Sequence, residues 1–266
     1  MSRITQDLAD EIWTTAEAVA DAARAAILPH FRSETLSADN KAAEGFDPVT
    51  VADRAAEAAM REIIAARRPS DAILGEELAD RAGDSGYSWV LDPIDGTRGF
   101  VSGTPTWGVL VAWTGPEGPL LGLIDQPYTG ERFCGGLGRS DWTGPLGQRP
   151  MRTRRNVPLD QAILFTTFPE VGTPDDRAAF ERVSQTARLT RYGMDCYAYA
   201  LLAAGQIDLV IEAGLHAYDI QAPIAAIEAA GGVVTDWQGG PAHEGGRAIA
   251  AGSPELHRQA LERLNG

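Results

Sequence analysis

Cysteine is scarce in this 266-residue sequence: two residues, Cys134 and Cys196, stand far apart and outside any CxxC pair. That excludes a disulfide scaffold and a structural zinc site, and it fits a reducing cytoplasm. Long apolar runs are missing too. None approaches the roughly 18 residues that a membrane helix needs, and the N-terminal MSRITQDLADEIW lacks the basic-then-apolar pattern of a signal segment. Positive charge is in short supply, with 23 Lys and Arg against 37 Asp and Glu and a net charge of −14. A nucleic-acid partner needs a basic footprint and is excluded on that ground. The surplus acid serves either solubility or the focusing of cations into a cleft. There is no internal repeat, low-complexity tract or flexible linker.

What remains is ordinary globular composition, 44% hydrophobic and 23% charged. The length suits one large or two closely packed domains with a real core. Helical spacing of Ala, Leu, Ile and Val predicts a first helix over residues 5–31, broken at Pro29. A second is predicted over 50–67, with Thr50 as N-cap and Asp53 in its first turn. Short apolar strands follow at 72–75 and 89–91. A hairpin is read at 107–114 and 120–126, and another strand at 131–136. Residues 138–158 are rich in Gly, Pro and Arg and weakly periodic, so a sub-domain boundary is placed there, giving 1–145 and 146–266. The second part alternates strands (162–167, 189–192, 209–211, 232–235) with helices (175–186, 196–204, 219–230), the signature of an α/β layer.

The acids are unusual in their placement. ILGEE (73–77) and LDPID (91–95) both run from a strand pattern into carboxylates, Asp219 opens a helix, and Asp53 opens another. Strand ends and helix starts converge when a sheet gathers them. Oxygen-only ligands without His or Cys suit a hard cation such as Mg²⁺, and an acid shared between two ions makes a site for in-line phosphoryl chemistry. Gly96 and Thr97 offer turn N–H groups to a phosphate. Taken singly, each acid also reads as a turn former, N-cap or helix-dipole residue. The set is more specific than its members.

DPVTVAD (47–53), GEE (75–77), DPIDGT (92–97), YD (218–219) and EAAGG (228–232), in that order, resemble the inositol monophosphatase family of Mg²⁺-dependent phosphatases. DGTRGFVSGTPTWGVL (95–110) and GMDCYAYALLAAGQIDLVIEAGLHAYDIQAP (193–223) are most similar to the histidinol-phosphatase branch. Gly99 stands where the inositol enzymes usually carry Asn, and Tyr218–Asp219 where they carry Trp-Asp. The resemblance implies an αβαβα five-layer sandwich, a homodimer and two or three Mg²⁺ per site. Glu76, Asp92 and the Ile94 carbonyl would hold one ion, and Asp92, Asp95 and Asp219 a second. Glu77 would support a water on the metal. Thr97 would orient the attacking water with Asp53 behind it, and the Gly96 and Thr97 amides would hold the phosphate. No covalent phospho-enzyme is implied, and both cysteines read as residues packed inward.

The implied substrate is a small phosphate ester, most similar in class to L-histidinol phosphate. Inositol 1-phosphate and 3′-phosphoadenosine nucleotides are the alternatives, and a non-catalytic phosphometabolite-binding protein is the alternative outside enzymes. A cationic amine calls for carboxylates that inositol does not require. The resemblance puts Asp195 and Glu212 at substrate-facing positions. From the residues alone, Asp195 reads equally as the N-cap of the following helix. His216 reads as peripheral, Arg98 as solvated, and Trp107 and Trp113 as core.

Overall fold

The computed structural model describes residues 4–34, 38–40 and 48–266. Asp47, the first residue of the DPVTVAD motif, lies outside them. The elements in chain order are α1 (Gln6–Ile27), β1 (Ala38–Asn40), β2 (Pro48–Thr50), α2 (Val51–Arg67), β3 (Ala72–Gly75), β4 (Ser88–Asp95) and α3 (Thr97–Ser102). There follow β5 (Gly108–Gly115), β6 (Gly118–Gln126), β7 (Glu131–Gly136), β8 (Arg139–Gly144) and β9 (Gly147–Pro150). The chain continues with β10 (Ile163–Thr166), α4 (Pro174–Ser184), β11 (Leu189–Tyr192), α5 (Asp195–Ala203), β12 (Leu209–Leu215) and α6 (Ala217–Ala229). It ends with β13 (Val233–Thr235), β14 (Gly246–Ala251) and α7 (Pro254–Leu264).

Strands β3 to β9 form a seven-stranded sheet in chain order, parallel only between β3 and β4. A five-stranded sheet has the order β11-β10-β12-β14-β13. Period-two alternation sorts their side chains between layers. Trp89, Leu91, Val109, Val111 and Trp113 face α1 and α2, whose inner stripes include Ile12, Ala16, Val19, Ala56 and Met60. Val90, Leu110 and Ala112 face the opposite way, into a core shared with α5, α6 and Val210 of β12. Leu209 and Ile211 point to the far side of the second sheet, against Phe180 of α4 and Leu256 of α7. The result is five layers: α1/α2, sheet, α5/α6, sheet, α4/α7. Gly122 permits the closest of these contacts, because a Cβ there would stand 2.0 Å from the Ala222 carbonyl oxygen of α6. Among the described residues no helix is long and apolar enough to cross a membrane.

Local signals explain most boundaries. Thr5 caps α1 through the Leu8 N–H, and Pro29 stops the helix earlier than residue 31. Thr50 and Asp53 form a reciprocal cap on α2. Three features depart from expectation. Residues 139–150 are not irregular: they form the hairpin β8–β9, which extends the first sheet past residue 145 and leaves it to end at Pro150. Half-exposed and exposed positions along both strands leave no apolar alternation to read. β14 is interior to its sheet yet half of it is alanine, a poor strand signal. The last helix, α7, starts at a Ser253 cap with Pro254 behind it.

Candidate active site

The strand expected to stop at Leu91 continues through both acids of DPID. Asp92 pairs with Leu110 and Asp95 with Gly108, so β4 spends one residue more than β5 between them. In a regular strand, residues three apart point to opposite faces. The extra bulge residue cancels that half-period and turns both carboxylates to the same face. Asp92 is buried, and its Oδ1 accepts the Ile94 N–H at 3.0 Å. The Thr97 hydroxyl donates to the Ile94 carbonyl at 3.1 Å. Gly96, between strand and helix, has φ +84°, and a Cβ there would sit 2.8 Å from the Asp195 carboxylate, so a residue without a side chain is required.

The other half of the site comes from the second sheet. Asp219 occupies the first turn of α6, where its Oδ2 accepts the His216 N–H at 2.6 Å. Asp92, Asp95 and Asp219 each present a carboxylate oxygen, and these oxygens lie within 4.8 Å of one another. Asp95 Oδ2 also accepts the Cys196 N–H at 2.5 Å, at the start of α5. Glu76 follows β3, anchored by its N–H to the Leu91 carbonyl at 3.3 Å. Its loop is shaped by Glu57, a fully buried acid of α2 that accepts the Glu77 and Leu78 N–H groups at 2.7 and 3.2 Å and pairs with Arg61 at 2.7 Å.

These elements surround a cavity of about 320 Å³. Glu76, Asp92, Ile94, Asp95, Gly96 and Thr97 line one wall, and Asp195, Tyr199, Glu212 and Asp219 line the other. Asp53 and Glu77 are not among the described residues that line it. Asp53 is buried at the start of α2, with Oδ2 accepting the Thr50 N–H at 2.8 Å. Asp195 is not a helix cap: it is the first residue of α5, in the left-handed region at φ +46°, and its Oδ2 accepts from the Thr106 hydroxyl at 3.4 Å. Glu212 is buried, and its Oε1 accepts from the Thr167 hydroxyl at 2.7 Å. Arg98 is exposed at the cavity with its guanidinium 4.8 Å from the Phe168 ring centre. His216 is exposed and stacks on Tyr218. Trp107, Trp113 and both cysteines are buried in the core.

Electrostatics mark the cavity. Burial first, then Glu76, Asp95 and Asp219, lift the Asp92 carboxyl well above the usual range. Burial, Asp195 and Asp219 do the same to Asp95. Burial raises Asp195 to about 6, opposed by Thr106 and Arg98. Burial pushes Glu212 up to about 7, opposed by Thr167 and reinforced by Asp195 and Asp219. Buried carboxylates that repel one another in an all-oxygen donor set fit a hard divalent cation. Glu57 and Tyr199 escaped sequence reasoning, although each had a signal. Glu57 sits four residues after Asp53 on α2, and Tyr199 four after Asp195 on α5, the spacing that shares a helix face.

The comparisons with known proteins point the same way. The family model described as the inositol monophosphatase family matches residues 8–265. The chloroplastic bifunctional phosphatase of Arabidopsis thaliana is 40% identical over 99% of this chain and 78% of its own length. A histidinol-phosphatase of Mycobacterium tuberculosis is 34% identical over 93% of this chain and 95% of its own. Among solved structures, an inositol monophosphatase from Zymomonas mobilis superposes with a TM-score of 0.85 at 39% identity, covering 97% of this chain and 98% of that one.

Proposed function

The chain belongs to the inositol monophosphatase family of phosphatases, and on that premise we propose that it hydrolyses L-histidinol phosphate to L-histidinol and phosphate with Mg²⁺. The observation that carries the substrate is the acidic wall of the cavity. Glu212 and Asp195 line the cavity and are held by threonine hydroxyls rather than by ion pairs with described residues. A polyol needs no such charge, whereas an amino alcohol's ammonium group does. The name of the Mycobacterium tuberculosis relative supports this reading.

Asp92, Asp95, Asp219, Glu76 and the Ile94 carbonyl are the groups that would hold the ions, two or three per site. Bound there, the ions supply Lewis acidity to the phosphoryl oxygens. The chain's own residues do the positioning. The Gly96 and Thr97 amides take the phosphate. The Thr97 hydroxyl, donating to the Ile94 carbonyl, keeps its lone pairs available to the attacking water, with Asp53 behind it and Glu77 as a further support. A homodimer in the cytoplasm completes the proposal.

Inositol 1-phosphate is the second reading, favoured by the Zymomonas mobilis structure. Phosphate release from histidinol phosphate, inositol 1-phosphate and 3′-phosphoadenosine 5′-phosphate separates the readings. The expected result is a kcat/KM at least about 10-fold higher for the amine, the value of one charge-assisted hydrogen bond. A preference for inositol 1-phosphate overturns the substrate and leaves the phosphatase.

A further inference from the structure

Tyr199 is the one aromatic on the acidic wall of the cavity that comes from α5. It is 3% exposed, and its hydroxyl has no hydrogen-bond partner among the described residues. A buried hydroxyl is ordinarily paired, and an orphan calls for an explanation. Tyr199 follows Asp195 by one helical turn, so the two share a face of α5. Glu212 reaches the same cavity from β12. Three oxygen-bearing side chains of two elements therefore line one wall, and two of them are already fixed by Thr106 and Thr167.

A primary ammonium carries three N–H donors and no acceptor. Two carboxylates leave one donor unmatched. We propose that the Tyr199 hydroxyl oxygen is the third acceptor, with Glu212 and Asp195, for a primary ammonium on the substrate, and so a specificity-determining residue. The inference rests on the amino-alcohol reading above and narrows it: the substrate class is a phosphate monoester of an alcohol bearing a primary, unsubstituted amine. On this reading the phenol has no partner among the described residues because its partner arrives with the substrate.

The test uses Tyr199→Phe, which keeps the ring and removes only the oxygen. Histidinol phosphate is compared with its deaminated analogue, the imidazolylpropyl phosphate, at saturating Mg²⁺. The kcat/KM ratio of amine to deaminated ester is expected to fall about 10-fold in the variant, carried mainly by KM. Thermal unfolding without ligand gives a second readout. Removing an orphaned hydroxyl should leave the melting temperature equal or higher, and the stabilisation of the protein by free histidinol should shrink. A ratio unchanged from the original protein overturns the role of Tyr199, as does a fall in melting temperature, since that places the hydroxyl's partner inside the fold. If the original protein itself shows no preference for the amine, the amino-alcohol reading fails and this role fails with it. A preference that survives Tyr199→Phe sinks this role alone.

Discussion

Two sets of buried acids in this molecule have opposite fates. Asp71, under the seven-stranded sheet, is fully buried, yet the fold answers it completely. Arg68 grips both oxygens at 3.0 and 3.2 Å, and the indole N–H groups of Trp89 and Trp113 donate to Oδ2 at 3.0 and 3.1 Å. Burial alone would raise its pKa, but Arg68, Ser85 and Trp113 outweigh burial and hold it low. Asp125 is answered in the same way, by Arg24 and Arg132 at 2.7 Å each. Asp92 is equally deep in the same sheet and Asp95 is half-buried beside it, and their main neighbours are other acids. The first set is finished by the chain, while no described residue forms an ion pair with Asp92 or Asp95. Burying charge costs free energy unless it is paired, so the direction of the shift separates acids that build the fold from acids that serve chemistry.

The largest expected effect separates the two sets outright. Chelation with EDTA should reduce phosphate release to background, and Mg²⁺ should restore it. Asp92→Asn should lower kcat by about 10³-fold or more, since a catalytic ion supplies several kcal/mol. In chelator, the same substitution should raise the melting temperature by removing one of the repelling charges. Asp71→Asn should do the reverse, costing about 3 kcal/mol of stability by breaking a buried pair, while metal-dependent turnover by the folded fraction persists. Full activity in chelator, or a destabilised chelated Asp92→Asn protein, would erase the distinction.

The next effect concerns the groups proposed to act on water. Thr97→Ala and Asp53→Asn should each lower kcat by about 10²-fold with little change in KM, the magnitude of a lost proton-handling group. Asp53 sharpens the comparison because the fold already uses it, as the reciprocal cap of α2 with Thr50, while a part in the chemistry is proposed for it. Asp53→Asn should therefore also cost about 1 kcal/mol of helix capping, visible in urea unfolding, whereas Thr97→Ala leaves that cap intact and loses only the hydrogen bond to the Ile94 carbonyl. A variant with normal kcat and a raised KM assigns that residue to ester binding instead.

How far the sequence reached follows from the same contrast. The elements were legible because residues 109–113 form an unbroken apolar run and α1 repeats its apolar stripe at helical spacing, whereas the five layers were expected only from the family resemblance, since an all-apolar run does not show which side chains face which layer. The β8–β9 hairpin was not, because polar, exposed residues carry no period. At the site, the identity of the acids was visible and their geometry was not. Nothing in DPID announces a bulge, yet the bulge is what brings Asp92 and Asp95 to one face. Glu57 was missed because an acid within a helix reads as solvated, until its partners Glu77, Leu78 and Arg61 are seen.

A smaller effect probes substrate choice. Glu212→Gln should cost about 10- to 100-fold in kcat/KM for histidinol phosphate, the worth of one charge-assisted hydrogen bond. Glycerol phosphate should be hurt less, since it has no amine to lose. Equal losses on both esters would move Glu212 to the metal site or to the fold.

The smallest effect is one of stability, and its sign is set by the direction of a shift. Glu212 is pushed up to about 7 from an ordinary 4.5, chiefly by burial. Between those values the folded protein holds a proton that the unfolded chain has released, so stability must fall as pH rises through that window. Asp71 behaves oppositely: its lowered pKa contributes stability that is lost only as pH falls below the ordinary 3.8. In chelator, the original protein and Glu212→Gln should therefore have similar stability near pH 5. The original should become the less stable by pH 8, by on the order of 2–3 kcal/mol. Adding histidinol at pH 8 should close part of the gap, because an ammonium pairs more strongly with the ionised carboxylate than with the neutral amide. Melting curves of both proteins across this range, with and without histidinol, provide the measurement. Parallel curves would mean that the fold already answers Glu212 as it answers Asp71, and the acidic wall would then lose its claim on a cation.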